Sequence, residues 1–359
     1  MEEVRSEKKI NKDKVLTVFL VSALIVTFTA TIVSLVLFTQ QVKKSDIMSK
    51  GIDTTYDRWY VLITDKTEDS FWKSVYDSMI ISGSSSGAYV EWMGKNLAGD
   101  YSIKELMEIA ISSNVDGIVL ESTNDEEIRS LINSARKKNI PVITVMEDVP
   151  ESNRKSFVGP SNYNLGTEYG NQILKAAKET RSGQILADEE NQDSDIRVLI
   201  LLEQGVSSTA QNMIISGIKE TLDNGSKSGM EIIMETATVR DDNIFVVEED
   251  IREILRTEDE TRPDVVVCLS ELTTNNAYQV LVDEDMVGEV SIIGYFDSES
   301  ILKAIKKGII YASASIDTTQ MGEYCIEALN EYLTSGYVNE YYATDFTMVT
   351  RANVGAFLK

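Results

Sequence analysis

Phe71 and Trp72 stand side by side in DKTEDSFWKSV, residues 65–75, just past a run from Arg58 to Thr64 that reads as a buried strand. A helix leaving a sheet needs only one residue of such a pair to face the core, so the other ring asks for a second partner. Few other groups in the chain could do chemistry. There is no histidine, which removes the commonest general base, the commonest zinc ligand and every nucleophile built on Ser-His or Cys-His. GSSSG at 83–87 fits the G-x-S-x-G spacing of a hydrolase elbow, but it follows a helical segment instead of a strand, and nothing like a histidine can activate Ser85. A turn between helix and strand accounts for it better. DEENQDSD at 188–195 is rich in carboxylates but lacks the central Gly and the Glu at the twelfth position of a calcium loop. No phosphate-cradling Gly motif of P-loop or dinucleotide type is found. Cys268 in VVVCL and Cys325 in MGEYCIEAL lie in apolar runs and read as two buried free thiols rather than a disulfide. Enzymatic readings lose most of their weight, and neither a cofactor nor a metal is expected.

Charge narrows the partners. With 34 Lys and Arg against 58 Asp and Glu, the net charge of -24 opposes nonspecific binding to nucleic acid or to an anionic bilayer surface. The 359 residues, 43% of them apolar, give room for one membrane element and two lobes. The membrane element is VLTVFLVSALIVTFTATIVSLVLF, residues 15–38, which holds 24 residues without a charge, where a spanning helix needs ~20. A cleaved secretory signal would have a shorter apolar region ending at a small-residue site, and this run continues through its FTAT candidate. An uncleaved anchor is the favoured reading. Arg5, Lys8, Lys9, Lys12 and Lys14 precede the span and Lys43 and Lys44 follow it, so the tail 1–14 is expected in the cytoplasm and the stalk 39–56 and all that follows outside. No Cys precedes residue 268, which excludes a lipoprotein attachment near the N-terminus.

Two series of elements must position the aromatic pair. RWYVLIT, SFWKSVYDSMIISG, AYVEWM, SIKELMEIAISS, DGIVLES, EEIRSLINSARKK and IPVITVM alternate β-branched runs with segments of helical period. A second series starts at IRVLILL and runs through SSTAQNMIISGIKETL, MEIIMETATV, FVVEEDIREILR, DVVVCLS, TTNNAYQVLV and VSIIGYF. Apolar strands alternating with helices predict parallel sheets covered on both faces, and two series predict two doubly wound α/β lobes. RSGQILADEENQDSD, 181–195, is polar and acidic without apolar period and is expected to be an exposed loop.

Six stretches in order, ITDKTEDSFWKSV, VDGIVLES, NIPVITVMED, VGPSNYNLGTEYG, GYFDSESILKAIKKGII and IDTTQMGEYCIEAL, carry a resemblance to the type I periplasmic binding proteins. The likeness is to the ribose-binding-protein-like sugar receptors, which share their fold with the ligand-binding part of the lac repressor family. It covers about residues 57–359. It implies two lobes joined by three crossings, near Ser161, Ile316 and Thr347, with 57–160 plus 317–346 in the first lobe and 161–316 plus 347–359 in the second. Ligand would lie between them at the C-terminal ends of the strands, where open α/β sheets place their sites.

The resemblance also implies site residues. Phe71 and Trp72 fall where the family often places aromatics that stack on the C–H faces of a pyranose, one ring serving the ligand and the other the core. Approximate pairing of the remaining cleft positions gives Asp69, Glu121, Glu147 with Asp148, Gln211 with Asn212, Ser270 with Glu271, and Asp297. An acid at a helix start is also what the helix dipole favours for stability alone. The sequence departs from the family where an Asp-Arg pair often follows PVITV: Met146, Glu147 and Asp148 stand there, Asn212 replaces a second-lobe arginine, and Ile316 replaces a Gln. With acceptors outnumbering donors, the expected ligand is small, polar and neutral or cationic, a sugar or a sugar-like molecule. The expected partner is a membrane permease of ABC type or, alternatively, a membrane histidine kinase or chemoreceptor that reads the closed form; no nucleic acid is expected.

Overall fold

VITV, GIVL and VVVC are strands without a polar face, and all four residues of each are buried. Such runs fold only where helices cover both sides of a parallel sheet, and the computed structural model builds two sheets of this kind. It describes residues 56–358 apart from 68, 98, 100, 122–124, 188–194, 204–208, 226–230, 241–242 and 257–261, with backbone alone at 180–187 and 244. Residues 56–359 form one unit, separate from 1–55. The expected membrane span at 15–38, its tail and its stalk up to residue 55 lie outside the described residues. Among the described residues no helix is long and apolar enough to cross a membrane.

The strands are β1 (Arg58–Ile63), β2 (Ala88–Trp92), β3 (Gly117–Leu120), β4 (Val142–Val145), β5 (Ser156–Pro160), β6 (Ile196–Glu203), β7 (Ile232–Val239), β8 (Val265–Cys268), β9 (Ser291–Tyr295), β10 (Ile310–Ile316), β11 (Tyr341–Thr344) and β12 (Phe346–Thr350). One sheet has the order β11-β5-β4-β3-β1-β2 and the other β12-β10-β9-β8-β6-β7. Every neighbouring pair is parallel except β10 with β12. The helices are α1 (Ser70–Ser85), α2 (Ile103–Ser113), α3 (Glu126–Lys137), α4 (Asn162–Ala187), α5 (Thr209–Gly225), α6 (Ile244–Leu255), α7 (Glu271–Asp283), α8 (Glu299–Lys307) and α9 (Thr318–Ser335). The lobes are related by topology: β4 holds the same place in the first sheet as β9 in the second.

Local chemistry starts the helices. Ser102 and Glu105 form a reciprocal capping box on α2, and the side chains of Asp69, Asp125, Ser270 and Asp317 cap α1, α3, α7 and α9, each satisfying amides that have no partner in the first turn. Helix α4 runs on to Ala187, so residues 181–187 are helix, not the loop expected from their polarity. Arg, Gln, Ile, Leu and Ala are good or tolerable helix formers, and they continue a helix already nucleated upstream. Cys268 and Cys325 are both free and buried, and burial pushes the Cys268 thiol up to about 12.

The chain passes between the sheets at Ser161, Asp317 and Asp345. Two of these links are tied together. The Asp317 amide donates to the Asp345 carbonyl at 2.9 Å, and the Gln320 side chain both accepts from the Asp345 amide at 2.6 Å and donates to its carboxylate at 3.0 Å.

Candidate ligand-binding cleft

The C-terminal ends of β1, β3 and β4 face those of β6, β8 and β9, and the residues that leave these strands meet across the gap. Asp69 turns the chain into α1 by accepting from the Phe71 amide at 2.7 Å. That turn places Phe71 against both its neighbour and the opposite lobe. Its ring lies edge-on to Trp72 at 5.3 Å, edge-on to Phe296 at 5.2 Å, and 6.2 Å from Tyr295. Both rings are buried in one apolar cluster, Phe71 4% and Trp72 2% exposed, which also holds Val75 and Met79 of the same helix. Of the pair, Phe71 is the one whose ring meets those of the second lobe.

Polar groups also cross the gap. Ser70 Oγ donates to the Glu271 carboxylate at 2.8 and 2.9 Å. Glu147 accepts from the amides of Thr209 and Ala210 at 3.0 and 3.4 Å, so a first-lobe carboxylate sits at the positive end of second-lobe helix α5. These contacts hold the lobes together.

Both lobes use the same backbone device to aim an acid. Met146 after β4 and Phe296 after β9 adopt left-handed φ values of 65° and 72°, a conformation that costs a side-chain-bearing residue free energy. Each amide donates to the neighbouring strand, Met146 to Val158 at 3.0 Å and Phe296 to Ala314 at 2.7 Å. Glu147 and Asp297 follow directly. Asp297 accepts from Ser315 Oγ at 2.8 Å.

The electrostatics among the described residues are those of an acidic cleft with Lys66 on its first-lobe side. Glu121 accepts from Thr64 Oγ1 at 2.7 Å and from Lys66 Nζ at 3.0 Å. The charge of Glu121, helped by Glu203 at the end of β6, raises the Lys66 ammonium above its ordinary range. Burial raises the carboxyl of Asp69, with Glu121 adding to it, and burial raises that of Glu271, with Asp69 and Asp297 adding. Carboxylates from two lobes therefore oppose each other's ionisation.

The remaining expected residues divide by position. Asp148 is committed within its own lobe: it accepts from Arg154 Nη2 at 2.7 Å, from Arg154 Nε, from Thr144 Oγ1 at 3.1 Å and from the Val149 amide at 2.8 Å. Arg154 is itself largely buried in that pair. Ser270 caps α7 through the Thr273 amide at 3.2 Å. Gln211 and Asn212 lie in the first turn of α5, the former half-buried and the latter exposed. The structure also brings Lys66, Ser70, Glu203, Tyr295 and Phe296 to these strand ends, none of which the sequence singles out. Lys66 and Ser70 carried a signal, being polar residues of the same strand-to-helix turn as Asp69. Tyr295 and Phe296 were hidden in a run that reads simply as strand.

Residues 60–336 match a family described as a periplasmic binding protein domain. The chain belongs to that family, and its described residues form a two-lobed α/β fold. No curated protein matches it. Among solved structures it is similar to the XylFII-LytSN complex, at 22% identity and a TM-score of 0.67 over 82% of this chain and 98% of that one. It is also similar to an ABC transporter solute-binding protein from Burkholderia graminis in complex with D-arabinose, at 20% identity and a TM-score of 0.68 over 86% and 100% of the two chains. A third is GanP, a glucose-galactose binding protein from Geobacillus stearothermophilus, at 20% identity and a TM-score of 0.66 over 82% and 98%.

Proposed function

We propose that the chain is a membrane-anchored extracellular receptor that closes two lobes on a small polar ligand of sugar type and presents the closed form to a membrane sensor protein. The observation that carries the reading is the set of contacts between lobes at the strand ends, Ser70 with Glu271, Glu147 with the α5 N-terminus and Phe71 with Phe296. A ligand that fits between them favours the closed state by its differential affinity for that state. Phe71, Asp69, Glu121, Glu271 and Asp297 are the contacts we assign first. Trp72, Asp148 and Ser270 serve the fold around them, and Gln211 and Asn212 complete the second-lobe wall. A sensor is favoured over uptake because a relative of the same fold is solved in complex with a second protein, LytSN. Delivery to an ABC permease is the second reading, favoured by the solute-binding protein of an ABC transporter that shares the fold. An anchor at 15–38 serves either fate, since a tethered receptor stays at high effective concentration beside its partner.

The test is a thermal-shift screen of the purified chain against sugars, amino sugars, nucleosides and sugar phosphates. A raised melting temperature with a sugar or amino sugar is expected. No shift with any of them, or a shift with phosphates alone, would contradict the reading.

A further inference from the structure

Tyr295 ends β9 with its side chain only 8% exposed, and its hydroxyl has no hydrogen-bond partner among the described residues. A buried phenol left without a partner is costly, and such groups in folded proteins call for a missing water or ligand. Its surroundings say on which side that partner belongs. The ring lies 6.2 Å from Phe71 of the first lobe. Burial, with the charges of Asp69 and Glu121 from that same lobe, pushes the phenol well above the usual tyrosine range. The phenol and the carboxylates thus act on one another across the cleft without bonding.

A third group can join them only if it accepts from the phenol and donates to a carboxylate. Water and an alcohol both do so, and of the two the alcohol is the group a bound molecule supplies. An ammonium donates but leaves the phenol hydrogen without an acceptor, and a fully ionised phosphate accepts but has no hydrogen for the carboxylate. Asp69 has capacity to spare, since one of its oxygens accepts the Phe71 amide and a carboxylate offers about four lone-pair sites.

We propose that Tyr295 is a specificity-determining contact, donating to a hydroxyl oxygen of the bound molecule while that hydroxyl donates to Asp69. This rests on the cleft being a receptor site for a sugar-like ligand. The cleft then selects for one hydroxyl at this place and discriminates against the corresponding deoxy compound.

The experiment titrates D-glucose, D-galactose, D-xylose, L-arabinose and their monodeoxy analogues into the full-length chain and its Tyr295→Phe variant by calorimetry, alongside melting curves without sugar. Tyr295→Phe should weaken the best-binding sugar about tenfold to a hundredfold. One deoxy analogue should bind the wild type that much more weakly and lose little further in the variant. Without sugar the variant should melt at the same temperature or higher, because it removes an unpartnered hydroxyl. Equal sugar affinity in the two proteins would overturn the assignment of Tyr295 alone. So would a sugar-free variant that melts several degrees lower, since the phenol would then have a partner in the fold. If no sugar binds the wild type, the receptor reading itself fails and takes this inference with it.

Discussion

Asp69 and Glu271 approach from opposite lobes as carboxyls that burial has raised above their ordinary range, and Asp264 is raised by burial as well. Each keeps a proton in the folded chain at pH values where the unfolded chain has released it. Stability therefore falls as pH rises from the ordinary carboxylate range through the raised values. The carboxyls held low, Asp250 by Arg240 and Glu284 by Arg256, lose their contribution only below the ordinary range, outside this window. The melting temperature should rise as pH is lowered from neutral toward the ordinary carboxylate range, and Asp69→Asn with Glu271→Gln should flatten that rise in part, with Asn keeping the α1 cap. A steady fall over the same interval would contradict the assignment. The aromatic pair makes a second prediction. Trp72→Ala should cost about 3–5 kcal/mol of stability, as large-to-small changes in cores do. Phe71→Ala should weaken sugar binding by about 1–3 kcal/mol. Melting curves and titrations of both variants decide between them, and unchanged affinity in both would return the two rings to the core.

Helix α5 is fixed at its start by Glu147 and along its length by glycines. A Cβ on Gly166 of α4 would lie 2.1 Å from the Ile214 carbonyl oxygen, and one on Gly217 of α5 would lie 2.4 Å from that of Tyr163. Backbone meets backbone there, so Gly166→Ala must push the helices apart and should cost about 1–3 kcal/mol or more in denaturant unfolding. Glu147→Ala removes the carboxylate from the α5 N-terminus and should favour the open form by about 1–2 kcal/mol, with Glu147→Gln losing less. Small-angle scattering reads this as a larger radius of gyration for the Ala variant, and an unchanged radius would mean that Glu147 does not latch the lobes. Much at this scale was legible in the chain. Runs such as GIVL and VITV announce buried parallel strands, and Ser102 with Glu105 announces a helix start. The left-handed turns at Met146 and Phe296 were not legible, because neither residue type favours that conformation and only the pairing to Val158 and Ala314 imposes it. The bonds from Ser70 to Glu271 and from Glu147 to Thr209 join residues far apart in sequence, and no local pattern marks them. The end of α4 is hidden in the sequence, because the polar composition of 181–195 suggests a loop while the helix propensity of 181–187 continues the helix to Ala187.

At the scale of the whole molecule, sequence order and strand-helix alternation point to the two-lobed family, while the identity of the ligand depends on side chains that meet only after folding. The proposed anchor at 15–38 makes its own prediction: protein recovered from membranes should keep residues 1–38, with the lobes open to added protease outside the cell. A soluble form beginning near residue 32 would show that the span is cleaved. The cleft makes the central one. Glu121, Glu203 and Asp69 lie near Lys66, and Glu271 with Asp297 lies on the side of Asp69, so among the described residues a buried phosphate would meet like charge with little to compensate it. The measurement is calorimetric titration of the full-length chain with one hexose, its amino derivative and its phosphate, the hexose being the one that gives the largest thermal shift. One-to-one binding of the hexose or its amine, with the phosphate far weaker, is the predicted result. Tightest binding of the phosphate, or no heat from any of the three, would contradict a receptor for neutral or cationic sugars.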